Sequence, residues 1–219
     1  MKKLLFTAAA LLMAWTSMLP AQAQDITGDV AAGSRKNALC LGCHGINGFH
    51  TAFPETYHVP KINGQGAGYI SAALHEYKAG ERKHPSMRTL ASSLSEQDIA
   101  DLAAYYASTG TGAALGDQAA AGSAKAAELV AKGGCPACHG ANFSTPIMPA
   151  YPRIAGQIND YVYFALKSYK NNDKPLMGRA NPVMGGIAKQ FSDDELKVLA
   201  DYVGSLPSVL QTYQPPRFK

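Results

Sequence analysis

The four cysteines of this 219-residue chain form two short clusters, and each cluster ends in a histidine. Each cluster has the pattern C-x-x-C-H, and its residues are Cys40, Cys43 and His44 in the first half and Cys135, Cys138 and His139 in the second. Two thiols one helical turn apart can add to the two vinyl groups of one haem, while the adjoining imidazole lies beneath the iron. Each cluster therefore predicts one covalently bound haem c, and the chain is predicted to carry two.

Zinc binding and redox disulfides are the alternative interpretations of paired cysteines. Zinc-binding pairs are usually about 15 to 20 residues apart, whereas 91 residues separate Cys43 from Cys135. A redox-active C-x-x-C pair would need alternating strands and helices, as in thioredoxin, and no convincing period-two alternation is present. Haem attachment is therefore the interpretation of both clusters.

A methionine in each half is the candidate for the second axial ligand of the haem iron. Met87 and Met184 each follow a proline by two residues and precede a serine by eight. An isolated methionine usually fills a gap in the core, but this repetition favours a ligand. His84 is the substitute if Met87 does not bind iron, and Met177 is the reserve for Met184. Histidine and methionine together fill the iron's coordination sphere, which favours electron transfer over catalysis.

The repeat extends beyond the cysteines and predicts two similar domains in an all-α chain. Matching segments are offset by 92 to 97 residues, and a capping-box pattern at Ser95 and Ser192 opens the last helix of each half. Apolar residues follow at helical spacing: Ile99, Leu102, Ala103 and Tyr106, then Leu196, Leu199, Ala200 and Val203. Further helices are predicted over 29–39, 69–79, 123–132 and 160–169. The predicted divisions are a signal peptide (1–23), an N-terminal domain (24–112), a linker (113–122) and a C-terminal domain with its tail (123–219).

The first 23 residues have the pattern of a secretory signal peptide. Lys2 and Lys3 precede an apolar run, and small residues lead to a cleavage site after about Ala23. The run is shorter than the roughly 20 residues that span a membrane, so export with cleavage is predicted and a retained membrane tether is the alternative. Removal leaves 18 basic and 16 acidic side chains, a balance that is not typical of a nucleic-acid-binding protein.

The set of motifs resembles the dihaem cytochromes c4, which consist of two class I cytochrome c domains. The resemblance rests on the two haem clusters, the matched segments 61–65 and 153–157, the Pro-x-Met segments and the serine-capped last helices. It implies that histidine and methionine bind each iron. It also implies that the carbonyl groups of Pro60 and Pro152 accept hydrogen bonds from the haem-binding histidines, with simple loop prolines as the alternative.

The resemblance further implies a periplasmic one-electron carrier without substrate chemistry of its own. Its redox partners would be a membrane quinol-oxidising complex or a dehydrogenase on one side and a terminal oxidase on the other, with peripheral membrane association and no nucleic acid. The alternatives are the haem subunit of a flavocytochrome or sulfur-oxidising dehydrogenase, and a dihaem enzyme such as a peroxidase. Extra residues before Met184 and an unusual tail over 213–219 depart from the family pattern.

Overall fold

The computed structural model describes residues 26–213, so the predicted signal peptide and the end of the tail lie outside the described residues. The first half contains α1 (Val30–Lys36), α2 (Ala38–His44), β1 (His50–Thr51), β2 (Tyr57–His58), α3 (Ala67–Ala79), β3 (Arg82–Lys83), α4 (Pro85–Ser92) and α5 (Glu96–Ser108). The second half contains α6 (Ala124–Gly133), α7 (Pro136–His139), α8 (Asn159–Lys170), β4 (Gly178–Arg179), α9 (Pro182–Ala188) and α10 (Asp193–Ser205). The described elements are mainly helical, which confirms the all-α class. Within residues 26–213, no helix is long and apolar enough to cross a membrane.

The last helix of each half begins as its sequence predicts. Ser95 accepts a hydrogen bond from the Asp98 amide while the Asp98 carboxylate accepts one from the Ser95 amide, and Ser192 and Glu195 repeat this arrangement. The predicted apolar stripes are buried on both helices. Helix α5 packs against α1 and α3, and α10 packs against α6 and α8. Full burial of a leucine or isoleucine side chain stabilises a fold by about 1.5–3 kcal/mol, so these stripes anchor both cores.

The short helices differ from the sequence-based expectation. The segment predicted as one helix over 29–39 divides at Asn37, where the backbone ψ is 2° and α1 gives way to α2. Helices α4 and α9 were not predicted, because they have only eight and seven residues, too few to display a helical period. Each begins with a proline in its first turn, a position that needs no backbone donor.

The two halves contact each other through the matched segments 61–65 and 153–157. The Gln65 side chain accepts a hydrogen bond from the Arg153 amide (2.8 Å) and donates one to the Arg153 carbonyl (2.9 Å). Gln157 repeats both bonds with Lys61, at 2.9 and 2.8 Å. The interface is therefore reciprocal, with equivalent residues of the two halves exchanging equivalent bonds.

Three further contacts join the halves. Strands β3 and β4 pair antiparallel across the boundary, with Arg82 opposite Arg179. The β1–β2 hairpin of the first half lies on α8 of the second, where Tyr57 stacks on Phe164 with ring centroids 4.0 Å apart. After α10 the chain returns to the first half, and the Gln211 amide donates to the Asn63 carbonyl at 3.0 Å.

The extra residues of the second half form the loop that precedes β4. The offset between the halves is 92 at Tyr77 and Tyr169 and grows to 97 at Arg82 and Arg179, so the insertion falls between α8 and β4. The Lys83 ammonium donates to two carbonyl groups of this loop, at 2.8 and 3.0 Å. The insertion therefore contributes to the contact between the two halves.

Candidate haem sites and the domain interface

One cavity of about 630 Å³ extends through both halves of the protein. Its walls include all eight residues that the sequence predicts as haem-binding: Cys40, Cys43, His44, Met87, Cys135, Cys138, His139 and Met184. The remaining walls are mostly apolar and come from the cores of both halves. The fold therefore brings the two predicted sites into one continuous interior space.

The cysteines lie on helices α2 and α7 or at their first turn, as haem attachment requires. These four are the only cysteines in the sequence, and none of them is in a disulfide. Burial raises the pKa of Cys40 and of Cys135, so these two thiols are held in the neutral form. All four are available to form thioether bonds to vinyl groups at the cavity wall.

Each histidine of the two clusters is oriented by a proline carbonyl. His44 donates from Nδ1 to the Pro60 carbonyl at 2.8 Å, and His139 donates from Nδ1 to the Pro152 carbonyl at 3.0 Å. Burial lowers the pKa of both rings, and the carbonyl contact opposes it. A neutral imidazole with a proton fixed on Nδ1 leaves the Nε2 lone pair free to bind iron. The role expected for both prolines is confirmed by these contacts.

The two candidate methionines occupy equivalent positions in the first turns of α4 and α9. The His84 ring caps α4 by accepting a hydrogen bond from the Met87 amide at 3.3 Å, and Asn181 caps α9 by accepting from the Met184 amide at 3.0 Å. His84, the substitute ligand in the sequence, thus has a capping role that Asn181 repeats. Met177 is not among the residues that line the cavity in the described part of the chain.

Two buried arginines lie opposite each other at the interface, on strands β3 and β4. Arg82 is 3% exposed and Arg179 is 5% exposed. The Tyr161 hydroxyl accepts hydrogen bonds from both guanidiniums, at 2.8 and 3.1 Å, and Arg82 also bonds Tyr69 at 3.0 Å. Among the described residues, the one carboxylate within ion-pair distance of either guanidinium is Glu76, 3.8 Å from Arg82. Two buried positive charges therefore share little negative charge from the protein.

This shortage of negative charge is visible at Tyr161. Burial opposes ionisation of the phenol, but the guanidiniums of Arg179 and Arg82 outweigh burial and lower the pKa of Tyr161 to about 8. A buried charge is costly unless it is paired. Because both arginines line the cavity, its centre is suited to bind an anionic group.

The comparisons with known proteins agree with this architecture. The family model for cytochrome c matches residues 30–110 and 123–207. A cytochrome c4 from Pseudomonas aeruginosa is 31% identical over 193 residues, which cover 82% of this chain and 89% of the relative. The chain belongs to the dihaem cytochrome c4 family.

Two further similarities concern the family's structure and partners. The crystal structure of reduced recombinant cytochrome c4 from Pseudomonas stutzeri aligns with a TM-score of 0.63 at 28% identity, covering 83% of this chain and all of that chain. A protein named thiosulfate dehydrogenase electron acceptor, from Stutzerimonas stutzeri, is 29% identical over 205 residues, covering 86% of this chain and 90% of the relative. Membership of the cytochrome c4 family means that the protein is an electron-transfer cytochrome with two covalently bound haem c groups in tandem class I domains.

The residues present fit two haem c groups. The cavity has thiols for both attachments, neutral imidazoles for both irons and mostly apolar walls for both rings. Its buried guanidiniums supply the positive charge that the carboxylates of haem propionates would pair with. Sequence reasoning missed Arg82 and Arg179, although their offset of 97 equals that of Ser95 and Ser192 and could have marked them as a repeated pair.

Proposed function

We propose that this cytochrome c4 relative carries single electrons in the periplasm and performs no substrate chemistry of its own. Its electron donor would be a quinol-oxidising complex or a dehydrogenase, and its acceptor a terminal oxidase. The observation that carries the proposal is the repeated arrangement of one histidine and one methionine on the cavity wall of each half. With His44 and Met87 binding one iron and His139 and Met184 the other, neither iron has an open position for a substrate.

The protein residues tune and protect the redox centres. Bound haem supplies iron that alternates between the ferrous and ferric states by one electron. Pro60 and Pro152 fix the orientation of the two imidazoles, and the helix caps at His84 and Asn181 fix the backbone of the two methionines. Mostly apolar walls limit the access of water to the haems, which keeps the reorganisation that accompanies each electron transfer small.

The ligation proposal is tested by the visible and near-infrared spectra of the purified holoprotein, with haem quantified per chain. We expect two covalent haems, the weak near-infrared band of sulfur-ligated ferric haem, and no carbon monoxide binding after reduction. A high-spin haem, or one that binds carbon monoxide, would show an open iron position and support a dihaem enzyme instead.

A dehydrogenase of sulfur compounds is the second candidate for the electron donor. The observation that favours it is the relative named thiosulfate dehydrogenase electron acceptor. Stopped-flow mixing of the oxidised holoprotein with a purified thiosulfate dehydrogenase and thiosulfate, and separately with a quinol-oxidising complex and quinol, distinguishes the two donors. Reduction within the turnover time of one enzyme but not of the other would assign the donor.

A further inference from the structure

A cluster of two histidines and one aspartate lies at the domain interface, apart from the residues assigned to the haem sites. The donor atoms of His50, His58 and Asp160 all lie within 4.8 Å of one another. His50 and His58 are directly opposite each other on strands β1 and β2 of the first half, and their ring centroids are 3.6 Å apart. Asp160 comes from the first turn of α8 in the second half.

The aspartate is already directed at the histidines. One carboxylate oxygen of Asp160 accepts hydrogen bonds from the His58 ring nitrogen Nδ1 at 2.6 Å and from the His58 amide at 3.1 Å. The other carboxylate oxygen is buried and has no hydrogen-bond partner among the described residues. The His50 ring also has no hydrogen bond within residues 26–213 and is exposed to solvent. Unused donor atoms from both halves therefore converge on one place.

The hairpin that carries the two histidines is held against α8 by independent contacts. Tyr57 is 5% exposed and stacks on Phe164 with ring centroids 4.0 Å apart. On the same hairpin, Glu55 forms an ion pair with Lys167 of α8 at 3.1 Å. These contacts fix the distance between the two halves at the cluster, so the three donor groups meet without folding of a new segment.

We propose that His50, His58 and Asp160 bind a divalent zinc-type metal ion. Imidazole nitrogens and a carboxylate oxygen are zinc ligands, with bonds of about 2.0–2.2 Å, and the ion would take the place of the proton shared by His58 and Asp160. Donor atoms on a tetrahedral zinc are about 3.3 Å apart, so closing the site needs the 2.6 Å contact between His58 and Asp160 to lengthen and the exposed His50 side chain to rotate. Three protein ligands leave the fourth position to water. The ion would join the two domains of the chain.

Zinc titration of the untagged, chelator-treated holoprotein by calorimetry tests this site. We expect one zinc ion per chain, and we expect His50→Asn to weaken binding at least about tenfold, because it removes one of three ligands. This variant leaves the contact between His58 and Asp160 intact, so it does not disturb the domain interface. The matched control is His75→Asn, which removes a histidine from another exposed pair, with Glu96 at 2.6 Å, and should leave zinc affinity unchanged.

Thermal unfolding gives a second measurement on the same proteins. An ion that binds the native state raises the unfolding midpoint, so at one fixed zinc concentration the rise should be equal in the wild type and in His75→Asn and smaller in His50→Asn. The absence of zinc binding by the wild type at millimolar zinc, or equal affinities of the wild type and His50→Asn, would overturn the proposal. Neither result bears on the electron-carrier function, which depends on other residues.

Discussion

At the scale of single residues, the two methionines proposed as iron ligands would decide what each iron can do. We expect Met87→Ala to lower the potential of the first haem by on the order of 100 mV, a fraction of the roughly 0.8 V range that axial ligands span, and to open that iron to carbon monoxide. Met184→Ala should do the same to the second haem. Spectroelectrochemistry of each variant measures both changes. Met148→Ala, at an exposed methionine, is the control, and retention of both sulfur-ligated spectra in Met87→Ala would contradict the assignment.

Asp101 is a second residue whose contribution can be measured, because it joins α5 to both ends of α1. It is 2% exposed and accepts hydrogen bonds from Lys36 at 2.6 Å, from the Asp29 amide at 2.8 Å and from Gln97 at 2.8 Å. These hydrogen bonds lower the pKa of Asp101 from 3.8 to about 2. The bond from Lys36 contributes most to this shift, and the bond from the Asp29 amide comes next.

A lowered carboxyl pKa stabilises the folded state above the unfolded-state pKa, and this stability is lost as the pH falls through the folded-state value. We therefore expect Asp101→Asn to unfold at a lower temperature than the wild type at pH 7. The difference should shrink between about pH 4 and pH 2, which calorimetry of the holoproteins would show. Asp173→Asn, at an exposed aspartate, should follow the wild type throughout, and a difference for Asp101→Asn that does not vary with pH would exclude this explanation.

At the scale of the elements, the caps of the last helices are equivalent and should have equal effects. Replacement of an N-cap serine by alanine costs about 0.5–2 kcal/mol, so Ser95→Ala and Ser192→Ala should each lower the free energy of unfolding by about 1 kcal/mol. Denaturant unfolding of the holoproteins measures this change. Ser92→Ala removes an exposed hydroxyl from the end of α4 and is the control. Equal stabilities of Ser95→Ala and Ser92→Ala would show that the cap contributes little.

The elements that could be predicted from the sequence are the long helices, whose apolar spacing extends over several turns, and those whose capping residues occur in both halves. Helices α5 and α10 have 13 residues each, which is long enough for apolar spacing and a capping box to be read together. Strands β1 to β4 have two residues each, and two residues cannot display alternation. The pairing of β3 with β4 is set by the contact between the halves, which no local pattern encodes.

The candidate haem sites were predictable for a different reason. Attachment chemistry fixes the spacing of Cys40, Cys43 and His44 along the chain, so the motif is visible in the sequence. Arg82 and Arg179 instead act across the interface, where only the fold brings them together. The same holds for the cluster around His58, because its partner Asp160 is 102 residues away. The domain boundaries and the iron ligands remain predictions.

At the scale of the whole molecule, the glutamines of the interface should determine whether the two domains unfold together. Gln65→Ala would leave the Arg153 amide and carbonyl without their partners, which costs about 1–3 kcal/mol for each buried polar group left unpaired. We expect the double variant Gln65→Ala/Gln157→Ala to unfold in two thermal transitions, whereas the wild type unfolds in one. Gln97→Ala, at a glutamine that bonds Thr27 and Asp101 of the first half, is the control. A single transition in the double variant would show that other contacts couple the domains.

The reciprocal form of this interface makes the chain equivalent to a fused symmetric dimer. In a two-fold dimer each subunit presents the same self-complementary patch, and here equivalent glutamines and paired arginines play that part. The segment that joins the domains then adds proximity, an effective concentration in the millimolar range for a short flexible linker, but does not specify the partner surface. A single domain with this patch has the surface that pairing with a second copy requires, so joining two such domains in one chain keeps a geometry that is equally available to two separate chains.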